Sequence, residues 1–197
     1  MNIFAKLAVT LVAGGMLSAC VTTKTYVDPQ YHVANYDQIQ HLAQPVPVRV
    51  EARFERNGQP YASVDAGLRQ MVERTLYATG AFKASPDASG GAVIEVVANN
   101  VADIEAAHEK GFRAGLTLGT HGSNVPDAYD FTFVYHDASG NEQRKSYHHT
   151  IYTTLGQVPA PVTGAGTTTP LAFEKVVEDV TLNFVKALQD DGGIANH

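Results

Sequence analysis

The single cysteine of this chain lies at the end of a short apolar run near the N-terminus. It closes the tetrapeptide Leu17-Ser18-Ala19-Cys20, and Lys6 is the only charged residue before it. The apolar stretch over residues 7–16 is shorter than the roughly 20 residues that a membrane-spanning helix needs. A positive charge, a short apolar stretch and small residues before a cleavage point are typical of an export signal. We therefore predict that residues 1–19 are a signal peptide.

The tetrapeptide that ends in Cys20 resembles the lipobox of bacterial lipoproteins. This resemblance implies that a diacylglycerol is attached to the Cys20 thiol, that the peptide is cut before Cys20, and that the new α-amine is acylated, as with palmitate. Several acyl chains hold a protein on a membrane stably, whereas one does so only marginally. In the Gram-negative pattern an aspartate after the cysteine favours the inner membrane, so Val21 implies an outer-membrane anchor with the domain facing the periplasm. An ordinary secretory signal is the alternative interpretation.

Three glycines recur at a spacing of four residues, Gly111, Gly115 and Gly119. On a helix this spacing would leave a smooth face against which a partner protein or a membrane could pack closely. Each glycine inside a helix costs about 1 kcal/mol, however, which makes a helix fragile in water. Two interpretations stay open for this segment: a glycine-rich turn before a strand, and a partner contact.

His136, His148 and His149 are the candidates for a metal site. Adjacent residues of a regular strand point to opposite faces, so His148 and His149 cannot bind the same ion there. The hairpin register predicted below places Asp130 opposite His148, which favours a cross-strand pair on a solvated face. We predict no metal ion and no cofactor.

The sequence contains none of the short motifs that carry known catalytic mechanisms. It has no G-x-S-x-G, no H-E-x-x-H, no P-loop and no G-x-G-x-x-G. The glycines of Ser89-Gly90-Gly91 precede a predicted strand and do not open a helix, so they do not form a phosphate site. We expect a protein that is not an enzyme.

The amino-acid composition limits the classes of partner that the protein can bind. Removal of residues 1–19 leaves 178 residues, enough for one domain, and the loss of Lys6 changes the formal net charge from −6 to −7. Nucleic-acid binding requires clustered Lys and Arg, which an acidic chain of this kind does not have. With Cys20 lipidated, no thiol remains for a disulfide, so stability must come from the apolar core.

The first half of the mature chain predicts a tether followed by a β-α-β unit. Residues 20–45 contain few aliphatic side chains and no sustained periodicity, which indicates a tether between lipid and domain. Residues 46–54 alternate between apolar and polar side chains, as in a half-buried strand. An apolar stripe at helical spacing follows and ends at Gly80. The β-branched run over residues 93–101 predicts a more central strand.

The second half predicts a hairpin and a helix. Aromatic side chains alternate with other residues over 129–135, and Gly140 can close a three-residue loop onto a second strand over residues 142–154. Residues 155–169 are rich in Gly, Pro and Thr and indicate a mobile loop, and a helix then runs to Gly192-Gly193. The hairpin register pairs Phe131 with Tyr147 and Asp130 with His148.

These elements predict an α+β two-layer sandwich in which a mostly antiparallel, four-stranded sheet carries two helices on one face, in the order β-α-β-β-β-α. The domain would span residues 46–191, with a tail over residues 192–197. The order resembles that of small periplasmic α/β domains of outer-membrane assembly and transport-auxiliary lipoproteins.

Two functions remain open. The first is a non-enzymatic adaptor or accessory subunit that is anchored through acylated Cys20 and binds an envelope protein partner. The second is a periplasmic carrier of a small molecule or lipid, with the aromatic strand over residues 129–135 lining a cleft between helices and sheet. A cavity lined by those rings would favour the carrier, whereas a closed core would favour the adaptor.

Overall fold

The computed structural model describes residues 23–85, 91–102 and 122–194. Within these residues the chain forms seven strands and two α-helices. The helices are α1 (Asp65–Ala78) and α2 (Thr169–Asp190), and short 3-10 turns lie at Tyr36–Gln38 and Ala62–Val64. The strands are β1 (Thr23–Val27), β2 (Val46–Arg56), β3 (Gln59–Pro60), β4 (Phe82–Ala84), β5 (Ala92–Val101), β6 (Ser123–His136) and β7 (Glu142–Leu155).

The strands form one mixed sheet in the order β1-β7-β6-β5-β2-β3, and β4 also pairs with β2. β2 runs parallel to β4 and β5, because the chain between them passes through α1, and a strand that follows such a crossover returns in the same direction. The other pairs are antiparallel. The predicted mixture of strands with two helices is confirmed, and most strand pairs are antiparallel as predicted. The predicted number of four strands is wrong, because it lacked β1, β3 and β4.

β1 lies in the segment that was predicted to be a tether. It pairs along its whole length with the end of β7, from Thr23 opposite Leu155 to Val27 opposite Ile151. The Thr25 side chain is fully buried, and its hydroxyl lies 2.8 Å from the hydroxyl of Thr169 at the start of α2. The sheet therefore begins three residues after Cys20 and not at residue 46.

Residues 28–45 also belong to the domain, and residues 32–40 run along α2. The Asn183 side chain accepts a hydrogen bond from the Ala34 N–H at 2.7 Å and donates one to the His32 carbonyl at 2.8 Å. Further along, Ile39 and Leu42 are 4% and 6% exposed and join the main apolar core. At the other end of the chain Ile194, which was placed in a tail, is also buried.

The β6–β7 hairpin has the predicted register. Phe131 lies opposite Tyr147, and Asp130 lies opposite His148. The Asp137 N–H donates to the Asn141 carbonyl at 3.0 Å and closes the three-residue loop, in which Gly140 has φ of 87°. A positive φ is the conformation for which glycine pays no steric penalty, and the turn residue therefore sets the register.

Both helices pack against one face of the sheet. α1 contributes Leu68, Val72 and Leu76, which are fully buried at helical spacing. α2 contributes a longer stripe that includes Val176, Val180, Phe184 and Leu188. The strand residues that meet them are Val48, Val50, Phe54, Ile94, Val96, Ala98, Phe131 and Phe133.

Replacement of Phe184 with alanine is expected to lower the free energy of unfolding by about 3–5 kcal/mol. Phe184 is fully buried, and its ring stacks on Phe133 with a centroid distance of 4.8 Å. Leu171→Ala on the same helix is the matched control, since Leu171 is 55% exposed and should change stability by less than about 0.5 kcal/mol. Urea unfolding of the chain without its signal peptide measures both, and equal effects would contradict the assignment of this core.

Candidate functional site

The residues predicted from sequence to carry function lie outside the described part of the chain. Cys20, the predicted lipidation site, precedes the first described residue, Thr23. Gly111, Gly115 and Gly119 fall in the gap between residues 102 and 122. The lipidation of Cys20 and the glycine contact therefore stay predictions.

The sheet face turned away from the helices carries acid–base pairs. His148 Nδ1 lies 2.7 Å from an Asp130 carboxylate oxygen, and His136 Nε2 lies 3.4 Å from Glu95. On β2, Arg53 donates to Glu55 at 3.0 Å. Each of these side chains has substantial access to solvent, so each pair contributes at most about 1 kcal/mol. The pairs make this face polar without forming a reactive site.

His149 lies on the opposite face from His148, as its position on the strand predicted. It is 2% exposed and sits opposite Tyr129 on the helix side of the sheet. The two neighbouring histidines therefore cannot meet at one ion. Across residues 23–85, 91–102 and 122–194, no group of three or more His, Cys, Asp or Glu side chains is arranged to hold a metal.

The His149 ring is buried between the Thr150 backbone and Tyr31. His149 Nδ1 lies 3.0 Å from the Thr150 N–H and 3.3 Å from the Thr150 carbonyl oxygen, so this nitrogen meets the Thr150 backbone in either tautomer. Nε2 has no hydrogen-bond partner within the described residues. The Tyr31 ring covers the imidazole with a centroid distance of 4.5 Å. Burial lowers the pKa of His149 below its usual 6.5, and the hydrogen bond with the Thr150 backbone and the nearby charge of Asp28 oppose this effect only in part.

The stability of the domain is expected to fall as the pH is lowered below about 6.5. Because the folded-state pKa of His149 is lowered, the unfolded chain binds a proton first, and the free energy of unfolding then decreases. Above that pH both states hold a neutral ring and His149 contributes no slope. His149→Phe should reduce this loss of unfolding free energy at low pH, whereas His148→Gln should leave the loss unchanged. Urea unfolding between pH 5 and 8 tests this expectation, and an equally steep fall in His149→Phe would contradict it.

The aromatic strand that was predicted to line a carrier cleft lies in the filled core. Its four rings, those of Tyr129, Phe131, Phe133 and Tyr135, are at most 7% exposed. Phe173 packs against Tyr129 and Phe131, and Phe184 stacks on Phe133. Phe82 meets Tyr135 edge to face. Side chains of α2 and β4 thus occupy the space in which a ligand would have had to bind.

A groove of about 520 Å³ lies beside this core, between β7, α2 and the segment that follows β1. Tyr31, Tyr147 and His149 supply its aromatic wall, and Val180 and Ala187 line the helix side. Burial, helped by the charge of Asp191, raises the pKa of Tyr147 to about 12, so its hydroxyl stays protonated. Lys186 and Asp190 also line the groove, which therefore offers apolar surface, hydrogen-bond donors and one charge of each sign. Sequence reasoning missed it because one wall belongs to residues 28–34, which were predicted to be a tether.

A second pocket of about 370 Å³, between the end of β1, the loop before α2 and α2 itself, is lined by two buried carboxylates, and both have partners. Asp28 is 5% exposed and accepts hydrogen bonds from the Gln30 N–H at 3.0 Å and from the Tyr152 hydroxyl at 3.3 Å. Asp179 is 3% exposed and forms an ion pair with Lys175, one helical turn away. Burial raises the pKa of Asp179, and Lys175 opposes that rise. These contacts give both carboxylates structural roles.

Comparison with known proteins gives structural likeness only at a distance. No family model matches the chain, and neither does any curated protein sequence. Among solved structures, the chain is similar to a PelC dodecamer from Paraburkholderia phytofirmans, with 13% sequence identity and a TM-score of 0.40. The match covers 86% of this chain and 97% of that one. No helix in the described residues is both long enough and apolar enough to cross a membrane.

Proposed function

We propose that this chain is a lipid-anchored protein of the cell envelope, held in the outer membrane through acylated Cys20. It acts there as a non-enzymatic adaptor or accessory subunit for an envelope protein. The observation that carries the proposal is the position of the single cysteine. Cys20 lies directly after two small residues at the end of a short apolar stretch, where a lipobox places its modified thiol.

The structure supports a role that depends on the surface of the domain. The space between the helices and β6 is filled by packed rings, and the outer sheet face carries solvated acid–base pairs. A protein of this kind works by presenting surfaces to a partner, with the lipid holding it at the membrane. No nucleic acid is expected as a partner, because the chain has more Asp and Glu than Lys and Arg.

The groove between β7 and α2 gives the alternative, a carrier of a small molecule or lipid, one concrete location. Its volume of about 520 Å³ lies in the range of small-ligand sites. Ala187→Phe would fill it from the helix side and should remove any ligand that co-purifies with the protein. A ligand lost in this variant, with folding intact, would favour the carrier over the adaptor.

Isolation of the protein from native membranes tests the favoured function. Mass spectrometry of the mature N-terminal peptide should show Cys20 as the first residue, with the mass of three acyl chains added. Crosslinking before solubilisation should capture a specific envelope protein in stoichiometric amounts. An N-terminus at another residue, or an unmodified Cys20, would contradict the anchor, and a monomer without crosslinked partners would contradict the adaptor.

A further inference from the structure

We propose that one end of the sheet lies against the lipid headgroups of the membrane that holds Cys20. This end, called here the anchor end, consists of the start of β1, the end of β7, the start of β6 and the loop over residues 156–168. The inference rests on the proposed lipidation of Cys20 and adds the orientation of the domain: the anchor end faces the bilayer, and the β6–β7 turn points away from it.

The first observation is the short length of chain between the lipid and the sheet. β1 begins at Thr23, three residues after Cys20. Three residues span at most about 11 Å even when fully extended. Thr23 lies opposite Leu155, and Leu155 lies opposite Ser123, so the three strand ends form one row across the sheet. A lipid on Cys20 therefore holds this whole row close to the headgroups.

The second observation is the distribution of charge. The mature chain is acidic, yet residues 150–173, which include the end of β7, the loop and the start of α2, contain no charged side chain. Residues 122–126 at the start of β6 are also uncharged. The only charge within β1 is the exposed Lys24. The described residues of the anchor end include no acidic side chain, so they are not repelled by anionic lipid, and one lysine near the surface is attracted to it.

The loop of the anchor end belongs to the folded domain. Thr167 exchanges two backbone hydrogen bonds of 2.8 Å with Thr25 of β1. Gly166 packs so closely on the Tyr26 ring that a Cβ atom there would lie 2.9 Å from it. Leu171, the most exposed large apolar side chain of the described residues, follows on the first turn of α2. The loop and this leucine thus give the anchor end an uncharged surface beside β1.

The opposite end of the sheet, at the β6–β7 turn, differs from the anchor end because it carries charged side chains. β6 and β7 each contain 14 residues, so their turn lies about 45 Å from the anchor end. The residues at and near the turn include both signs of charge. They are Asp137, Glu142, Arg144, Lys145, Lys186, Asp190 and Asp191. This charged end would be free to meet a protein partner away from the membrane.

Site-specific fluorescence quenching tests the orientation. The acylated full chain carries no free thiol, so Gln157→Cys and Thr163→Cys in the loop and Ser139→Cys in the turn can each take one maleimide fluorophore. All three positions are exposed. The labelled proteins are reconstituted into vesicles of phosphatidylethanolamine and phosphatidylglycerol that contain a lipid with a nitroxide headgroup. We expect the probes at residues 157 and 163 to lose most of their fluorescence and the probe at residue 139 to keep it.

Each other result would overturn the inference in a recognisable way. Bright probes at all three positions, on vesicle-bound acylated protein, would show that the anchor end stays away from the headgroups. Quenching at residue 139 as well would show that the domain lies flat. Labelling of the wild-type protein by the maleimide would instead reveal a free Cys20, which contradicts the proposed lipidation itself. Residues 157 and 163 give independent readings if one substitution disturbs the loop.

Discussion

A fragment that begins at residue 46 is expected not to fold into a stable domain, whereas a fragment that begins at Thr23 should unfold cooperatively. Removal of residues 23–45 deletes the edge strand β1 and takes the buried side chains of Ala34, Ile39 and Leu42 out of the core. Loss of one buried leucine or isoleucine side chain costs about 2–5 kcal/mol. Domains have a total stability of only about 5–15 kcal/mol, so several such losses together exceed what the rest can supply.

Circular dichroism and urea unfolding of the two fragments check this result. Leu42→Ala in the longer fragment is the intermediate case and should lower the free energy of unfolding by about 2–5 kcal/mol without abolishing the transition. Leu171→Ala, the same change at a side chain that is 55% exposed, is the matched control and should have little effect. A shorter fragment that unfolds with the same midpoint as the longer one would show that residues 23–45 are a tether after all.

The elements that sequence could predict are those whose burial is periodic over one short segment. β2 alternates because one face meets the helices and the other meets water, and α1 and α2 have apolar stripes because they lie on the sheet. The β6–β7 hairpin was predicted to the residue because its turn requires a positive φ at Gly140. In each case the information lies within the segment itself.

β1 could not be predicted in this way because its burial depends on distant residues. The buried hydroxyl of Thr25 is satisfied by Thr153 at 3.2 Å and by Thr169 at 2.8 Å, more than a hundred residues along the chain. A polar side chain that is buried through such contacts looks like a loop residue in the sequence. Likewise, residues 32–40 are held by hydrogen bonds to the Asn183 and Gln189 side chains of α2, so they have no period of their own.

The features of the candidate site also divide into those that a short segment predicts and those that depend on distant residues. The motif around Cys20 is recognisable from four adjacent residues, and no fold is needed to read it. The different environments of His148 and His149 follow from strand alternation, which sequence could predict, but the choice of which ring is buried follows from the position of α2 and Tyr31. The groove and the anchor end required the position of β1, and sequence alone placed that strand outside the domain.

Cys20→Ser is expected to abolish acyl labelling of the protein completely. The lipid is attached through sulfur, and a serine hydroxyl at the same position is a far weaker nucleophile than a cysteine thiolate. The variant should therefore remain unprocessed, with residues 1–19 still attached, or be released as a soluble form. Metabolic labelling with a radioactive fatty acid and the mass of the N-terminal peptide measure both consequences. Each acyl chain contributes about 0.8 kcal/mol of membrane binding per buried methylene, so the processed, unacylated chain loses its anchor.

Ser18→Ala is the matched control for this change, because it alters the same tetrapeptide while keeping a small residue and the thiol. It should be labelled and cleaved like the wild type. If Cys20→Ser still incorporated fatty acid, the modified residue would lie elsewhere and the anchor would have to be reassigned. If neither the wild type nor Ser18→Ala were labelled, residues 1–19 would be an ordinary export signal, and the sheet would have no lipid three residues before β1. The quenching experiment separates this outcome from a wrong orientation, because a free Cys20 would itself react with the maleimide.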